Sequence, residues 1–276
     1  MSSFKKTSRR TILKTGLVSL ASAAIITPEG HAAMPKDIKP KAPGETRVLF
    51  LGGDYLHGFE DQEMGLRQVC NKAGWIMLSV HDSRYVTPEL IRDSDLMMIQ
   101  RWMGGVPGWV PGPIFVETPT DDDFMNDELA GAIIDNVKNR GMGLMSLHCT
   151  IAAWGRQDFI DLLGVYGIIH GCLQLVHLHN FNQNHPITKG MNDFDIPIDE
   201  NFGCEIINKN VVPLYETTGG SDKRHDIAGW CIEQGNGRVV GLTMGHTYFA
   251  YEDPNYLELI FRSAHWAIKK DIPPYK

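Results

Sequence analysis

The chain has 276 residues, 43% of them hydrophobic and 21% charged, with a formal charge of −7. That is enough apolar material for a substantial core, and it excludes an intrinsically disordered chain. The first 32 residues carry five basic groups and one acidic, so the −7 of the whole becomes −11 for the remainder. So acidic a protein has no electrostatic basis for binding nucleic acid or an anionic membrane surface, and a small neutral or cationic ligand suits it better.

The N-terminus reads as an export signal. Ser8-Arg9-Arg10-Thr11-Ile12-Leu13-Lys14 has the twin-arginine pattern, an apolar run follows to Ile26, and residues 1–28 contain no acidic group. Gly30-His31-Ala32 offers small residues where a signal peptidase reads, so residues 1–32 are expected to be removed, leaving a periplasmic or secreted protein. Thr15, Gly16, Ser19 and Ser22 interrupt the apolar run, which is too short for a stable membrane anchor. Residues 33–45 form a Pro/Lys-rich linker, and a single domain is expected over 46–276.

The domain opens on Arg47–Gly53, an apolar run ending in glycines, as a buried parallel strand does before a loop. A helix over Gln62–Lys72 closed by Gly74, a strand over Trp75–Val80 and a helix start at Thr87-Pro88 follow, then a strand over Leu96–Ile99. Gly104–Thr120 has neither helical nor strand period and reads as a long functional loop or an insertion. The amphipathic stretch Asp127–Arg140, stopped by Gly141, predicts a helix, and Leu144–Leu147 a fourth strand ending on His148. This alternation predicts an α/β fold, flavodoxin-like and doubly wound around a mostly parallel sheet. The C-terminal half adds strands over Leu173–His179, Val211–Glu216, Ile227–Ile232 and Arg238–Met244, with Asn236-Gly237 as a hairpin turn and hence antiparallel pairing. A last helix carries the stripe Leu257, Ile260, Phe261, Ala264, Ile268. The five cysteines (Cys70, Cys149, Cys172, Cys204, Cys231) have no CxxC spacing and are expected to be reduced core thiols.

Ligands of open α/β sheets sit beyond the carboxyl ends of the strands. His57, His148 and His246 fall at or just past such ends, and Asp199-Glu200 follows the extended segment Phe194–Ile198. Histidine titrates near neutral pH, so these groups suit general acid–base work. They also have the donor chemistry for a divalent ion such as zinc, with His57, His148, His246 and Glu200 as candidate ligands, although none of the four lies in a compact metal-binding motif. Trp154 is a candidate sugar-stacking platform. His185, before Pro186, reads as part of a turn, and His177 and His179 alternate along a strand towards one face.

Six segments in order resemble the ThuA-like (trehalose-utilisation) family, whose fold resembles class I glutamine amidotransferases. They are Gly52-Gly53 with His57-Gly58-Phe59; Gly143 to His148; His185-Pro186-Ile187-Thr188-Lys189-Gly190; Asp199-Glu200-Asn201-Phe202; Gly235 to Val240; and Met244-Gly245-His246 through Trp266-Ala267. Asn201-Phe202 departs from the tyrosine usual after the Asp-Glu pair, and Cys149-Thr150 from the small residues usual after the strand-end histidine. The resemblance implies an enzyme of carbohydrate catabolism acting on trehalose or a 3-keto-glycoside, a lyase, isomerase or hydrolase. His148, His57, His246, Glu200 and Asp199 would be its catalytic groups, and Asp54, Trp154 and Phe202 would contact the sugar. Two alternatives are a non-catalytic envelope protein that binds sugar and an amidotransferase-like hydrolase with Cys149 as nucleophile. The latter is disfavoured because Ser146-Leu147-His148-Cys149-Thr150-Ile151 lacks the small residues that a nucleophile turn needs.

Overall fold

Three strands with no polar face explain the layering. A computed structural model describes residues 38–54, 57–102, 126–151, 156–219 and 225–275. In it β1 (Arg47–Gly52), β3 (Leu96–Gln100) and β4 (Gly143–Leu147) are buried throughout. Alternate side chains enter two separate cores: Val48, Phe50, Met98 and Leu147 one of them, Leu49, Leu51, Met97 and Leu144 the other. Strands covered on both faces need apolar residues at every position, which is why these segments show no alternation.

Helices α1 (Phe59–Ala73), α5 (Tyr248–Glu252) and α6 (Pro254–Ala267) cover the first core, and α2 (Pro88–Arg92), α3 (Asp127–Asp135) and α4 (Gln157–Leu163) the second. Their ends follow the sequence. Thr87 caps α2 by accepting the Leu90 N–H, and Gly74 closes α1 in the left-handed region. Past Asp135 the predicted helix widens into a π-type turn over Asn136–Arg140 before Gly141 stops it.

The nine-stranded sheet runs β2-β1-β3-β4-β11-β10-β9-β6-β7, with β2 at Ile76–Val80, β6 at Gln174–Asn180, β7 at Phe194–Asp199, β9 at Val212–Gly219, β10 at His225–Gln234 and β11 at Gly237–Leu242. The first five in that order are mutually parallel, with β11 as the fifth parallel strand beside β4. The remaining four add on in antiparallel fashion. The fold is therefore the expected doubly wound sheet with antiparallel additions. Gln234 pairs with Gly237, so the β10–β11 turn is Gly235-Asn236, one residue earlier than the sequence suggests. A separate two-stranded ribbon of β5 (Val165–His170) and β8 (Phe202–Ile206), together with α4, has no counterpart in the sequence reading.

Among the described residues no helix is long and apolar enough to cross a membrane. All five cysteines are free thiols; Cys70, Cys149 and Cys231 are buried, whereas Cys172 is exposed. The predicted leader, the Gly104–Thr120 segment and Trp154 lie outside the described residues.

Candidate functional site

The chain winds away from β1 in both directions, to β2 on one side and β3 on the other. Strand ends at such a reversal leave a crevice that ligands use. Around it the structure brings His57, His148, His246 and Glu200 together.

His148 directly follows β4 and takes the left-handed region with φ 45°. A non-glycine residue there is uncommon and marks a sharp, strained strand-to-turn junction. Its ring is fully buried, and Nδ1 lies 2.8 Å from the Thr243 carbonyl oxygen. A carbonyl can only accept, so Nδ1 carries the proton and the lone pair of the neutral ring sits on Nε2. Burial, reinforced by His57 and His246, holds the imidazole well below its ordinary pKa, so the ring is neutral near pH 7.

His57 is fixed by the same logic from the opposite wall. Its Nδ1 lies 2.8 and 2.9 Å from the two carboxylate oxygens of Asp54, three residues earlier. Asp54 also accepts the backbone N–H groups of His57 at 3.1 Å and of Trp102 at 2.7 Å. The Asp54 side chain, expected to contact sugar, is only 5% exposed and faces the His57 ring. A carboxylate behind the distal nitrogen sets the tautomer, leaving Nε2 of His57 with its lone pair free.

His246 and Glu200 close the group. Nδ1 of His246 is 3.2 Å from Nε2 of His148 and 3.2 Å from a Glu200 oxygen, and that oxygen is 3.6 Å from Nε2 of His148. Asp199 stands behind both. Its fully buried carboxylate accepts the backbone N–H groups of Glu200 at 2.7 Å, Gly245 at 3.0 Å and His246 at 3.1 Å. Burial pushes this carboxyl up to about 7 against the pull of those three donors. Asp199, expected among the catalytic groups, thus clamps the backbone that carries Glu200 and His246. Gly245 has φ +119°, and a Cβ there would come within 2.8 Å of the Tyr251 hydroxyl. Gln100 donates to the Gly245 carbonyl at 2.5 Å, and Tyr256 to that of Met244 at 2.6 Å. Sequence reasoning missed Gln100, Tyr251 and Tyr256, which hold the loop carrying His246; no local motif flags them.

The three imidazoles each offer a ligand atom within 4.8 Å of the others. Bonds of about 2.0–2.1 Å to a tetrahedral zinc place two ligands about 3.3 Å apart, close to the 3.2 Å between His148 and His246. Nitrogen donors whose protons are held on the outer side suit such an ion, and Asp54 and the Thr243 carbonyl do this for His57 and His148. The donor set fits.

Cys149 is fully buried, and burial together with Asp54 raises its thiol well above the ordinary value. A protonated, enclosed thiol is a poor nucleophile. It is His148, not Cys149, that stands on the strained turn. Phe202, expected to contact sugar, is buried with its ring edge-on to His148 at 4.9 Å, so it is a wall of the site. His185 is in a turn as expected, with Nε2 3.5 Å from the Cys231 sulfur.

The sequence profile of ThuA, described as trehalose utilisation, matches residues 67–267. The chain belongs to the ThuA family. No curated protein sequence matches this ThuA-family chain. Its fold is similar to that of a ThuA-like protein from Parabacteroides merdae, with 16% identity, a TM-score of 0.65 and coverage of 83% of this chain and 92% of that one. A ThuA-like protein from Bacteroides uniformis is similar at 15% identity and TM-score 0.62, over 84% of this chain and 95% of the other. A glutamine amidotransferase from Thermotoga maritima follows at 10% identity and TM-score 0.52, over 82% and 99%. At such identities the likeness is one of fold.

Proposed function

We propose that this ThuA-family chain is an exported enzyme of carbohydrate catabolism acting on trehalose or a 3-keto-glycoside, with His57, His148 and His246 holding a divalent ion such as zinc. One observation carries the reading. Asp54 and the Thr243 carbonyl hold Nδ1 of His57 and His148, the Nε2 of His148 lies 3.2 Å from His246, and the three rings each offer a ligand atom within 4.8 Å of the others. A bound divalent ion would supply Lewis acidity, polarising a carbonyl oxygen of the substrate.

Glu200 is the anionic group beside these rings, with its side chain 11% exposed, and His246 at 20% is the more open of its two imidazole neighbours. A ketone at C3 of a sugar acidifies the proton on C2, and Glu200 is the group to accept it. Collapse of the resulting enolate towards C1 expels the glycosidic oxygen; return of the proton at C3 isomerises the sugar. The proton that Glu200 has accepted is then available to the departing oxygen. The site contains acidic and neutral groups, in keeping with an uncharged polyol as substrate. The export part of the proposal rests on the Ser8-Arg9-Arg10 signal.

The test is to incubate purified protein with glycosides and their 3-keto forms, following products by NMR with and without chelator. Turnover that chelator abolishes and zinc restores supports the proposal. Tight sugar binding without turnover would favour a binding protein instead.

A further inference from the structure

The outer face of the antiparallel half carries a second cluster, built on β6 and its neighbours β7 and β9. On β6 the buried residues Val176, Leu178 and Asn180 alternate with His177 and His179, which share the open face. The register sets His177 opposite Asp195 on β7 and Thr218 on β9, and His179 opposite Glu216 on β9. Two imidazoles therefore stand in adjacent rows between oxygen-bearing neighbours.

Both rings are oriented from behind. Nδ1 of His177 is 2.6 Å from an Asp195 oxygen, and Nδ1 of His179 is 3.3 Å from an Asp193 oxygen. Asp193 is itself fixed, because its other oxygen accepts the Asn180 N–H at 2.7 Å. With the proton on Nδ1 towards a carboxylate, the lone pair lies on Nε2 in each ring, the same arrangement that Asp54 imposes on His57. The His177 and His179 side chains are 42% and 47% exposed, so neither ring is committed to packing. Nε2 of His179 lies 3.2 Å from the Thr218 hydroxyl, a contact that an incoming ion can replace.

Residues two apart on a strand are separated by about 6.7 Å. Two imidazole nitrogens on one zinc-like ion need to be about 3.3 Å apart, so each ring tip must lean inward by about 1.7 Å. A histidine side chain on an open face has that freedom. We propose that His177 and His179 form a second, solvent-facing site for a borderline divalent ion such as zinc or nickel, bound through the two Nε2 atoms, with Asp195 and Asp193 as the carboxylates behind them. Imidazole donors select such ions over calcium or magnesium, which prefer all-oxygen ligands.

The experiment titrates zinc into the untagged, metal-stripped full chain and counts bound equivalents by elemental analysis after dialysis. It compares wild type with His177→Ala/His179→Ala, Asp195→Asn and His148→Asn. The surface double variant should lose one equivalent while its metal-free melting temperature stays unchanged. Asp195→Asn should keep that equivalent with about tenfold weaker affinity, and calcium should not compete for it. His148→Asn should lose the other equivalent and keep this one, so the surface site and the strand-end site stand or fall separately. A double variant that retains every equivalent bound by wild type overturns the proposal, as does competition by calcium.

Discussion

His148→Asn separates the chemistry of the site from its packing. The ring donates from Nδ1 to the Thr243 carbonyl, is fully buried, and sits on a residue with φ 45°. Asparagine tolerates positive φ better than most residues and places an amide N–H close to where Nδ1 stands, so both the turn and the bond to Thr243 can survive. It has nothing in place of Nε2. His148→Ala, by contrast, leaves a buried carbonyl unpaired, at about 1–3 kcal/mol, and opens a ring-sized cavity, at roughly 1–2 kcal/mol. A loss of about 2–5 kcal/mol is tolerable only for a protein in the upper part of the usual 5–15 kcal/mol range. In urea unfolding the asparagine variant should therefore lie within about 1 kcal/mol of wild type and the alanine variant well below it. Turnover and the strand-end zinc equivalent should be lost in both. An asparagine variant with wild-type zinc content and turnover would refute the role given to Nε2.

Asp54→Asn removes the carboxylate behind His57 and leaves one oxygen where two were used, so zinc affinity measured by chelator competition should fall by about 10–100-fold. Cys149→Ser should retain near wild-type turnover of the same substrate, since the buried thiol is held protonated; loss of activity in a folded variant would revive the cysteine-hydrolase reading. In the metal-free protein His148 is depressed by burial below an unfolded value near 6.5. Below pH 6.5 the unfolded chain takes up a proton that the folded chain refuses, so this group's contribution is lost as pH falls towards its depressed pKa, by up to about 1.4 kcal/mol per pH unit. Urea titrations from pH 6.5 to lower values should show a shallower acid loss for His148→Asn than for wild type. Arg9→Lys/Arg10→Lys should leave precursor in the cytoplasm on fractionation; unchanged export would remove the twin-arginine reading.

Much of this arrangement is written locally. Val48–Leu51, Leu96–Ile99 and Gly143–Met145 are continuous apolar runs because both faces of each strand are covered. Knowing the strand ends is enough to bring His57, His148 and His246 to one edge of an α/β sheet. What lies behind those residues was less legible. Asp54 and His57 are three apart, a visible spacing, yet nothing in it says that the carboxylate faces the ring and not a ligand. Asp199 and Glu200 are neighbours with opposite fates, because adjacent residues at a strand end point to different sides: one accepts three backbone N–H groups in the core and the other reaches the imidazoles. The β5–β8 ribbon escaped notice because its pairing is long-range and its exposed positions Glu205 and Ile206 give no clean alternation.

His57, His148 and His246 are proposed as ligands of one ion. Anomalous diffraction at the zinc edge, on crystals of protein grown with zinc, tests this most directly. A strong peak is expected at the carboxyl edge of the sheet, about 2.0–2.1 Å from one nitrogen of each of the three rings, with the Glu200 carboxylate beside it and apart from any ion at His177 and His179. Zinc-loaded crystals with no peak among those rings, and with His148 and His246 hydrogen-bonded directly to each other, would contradict it.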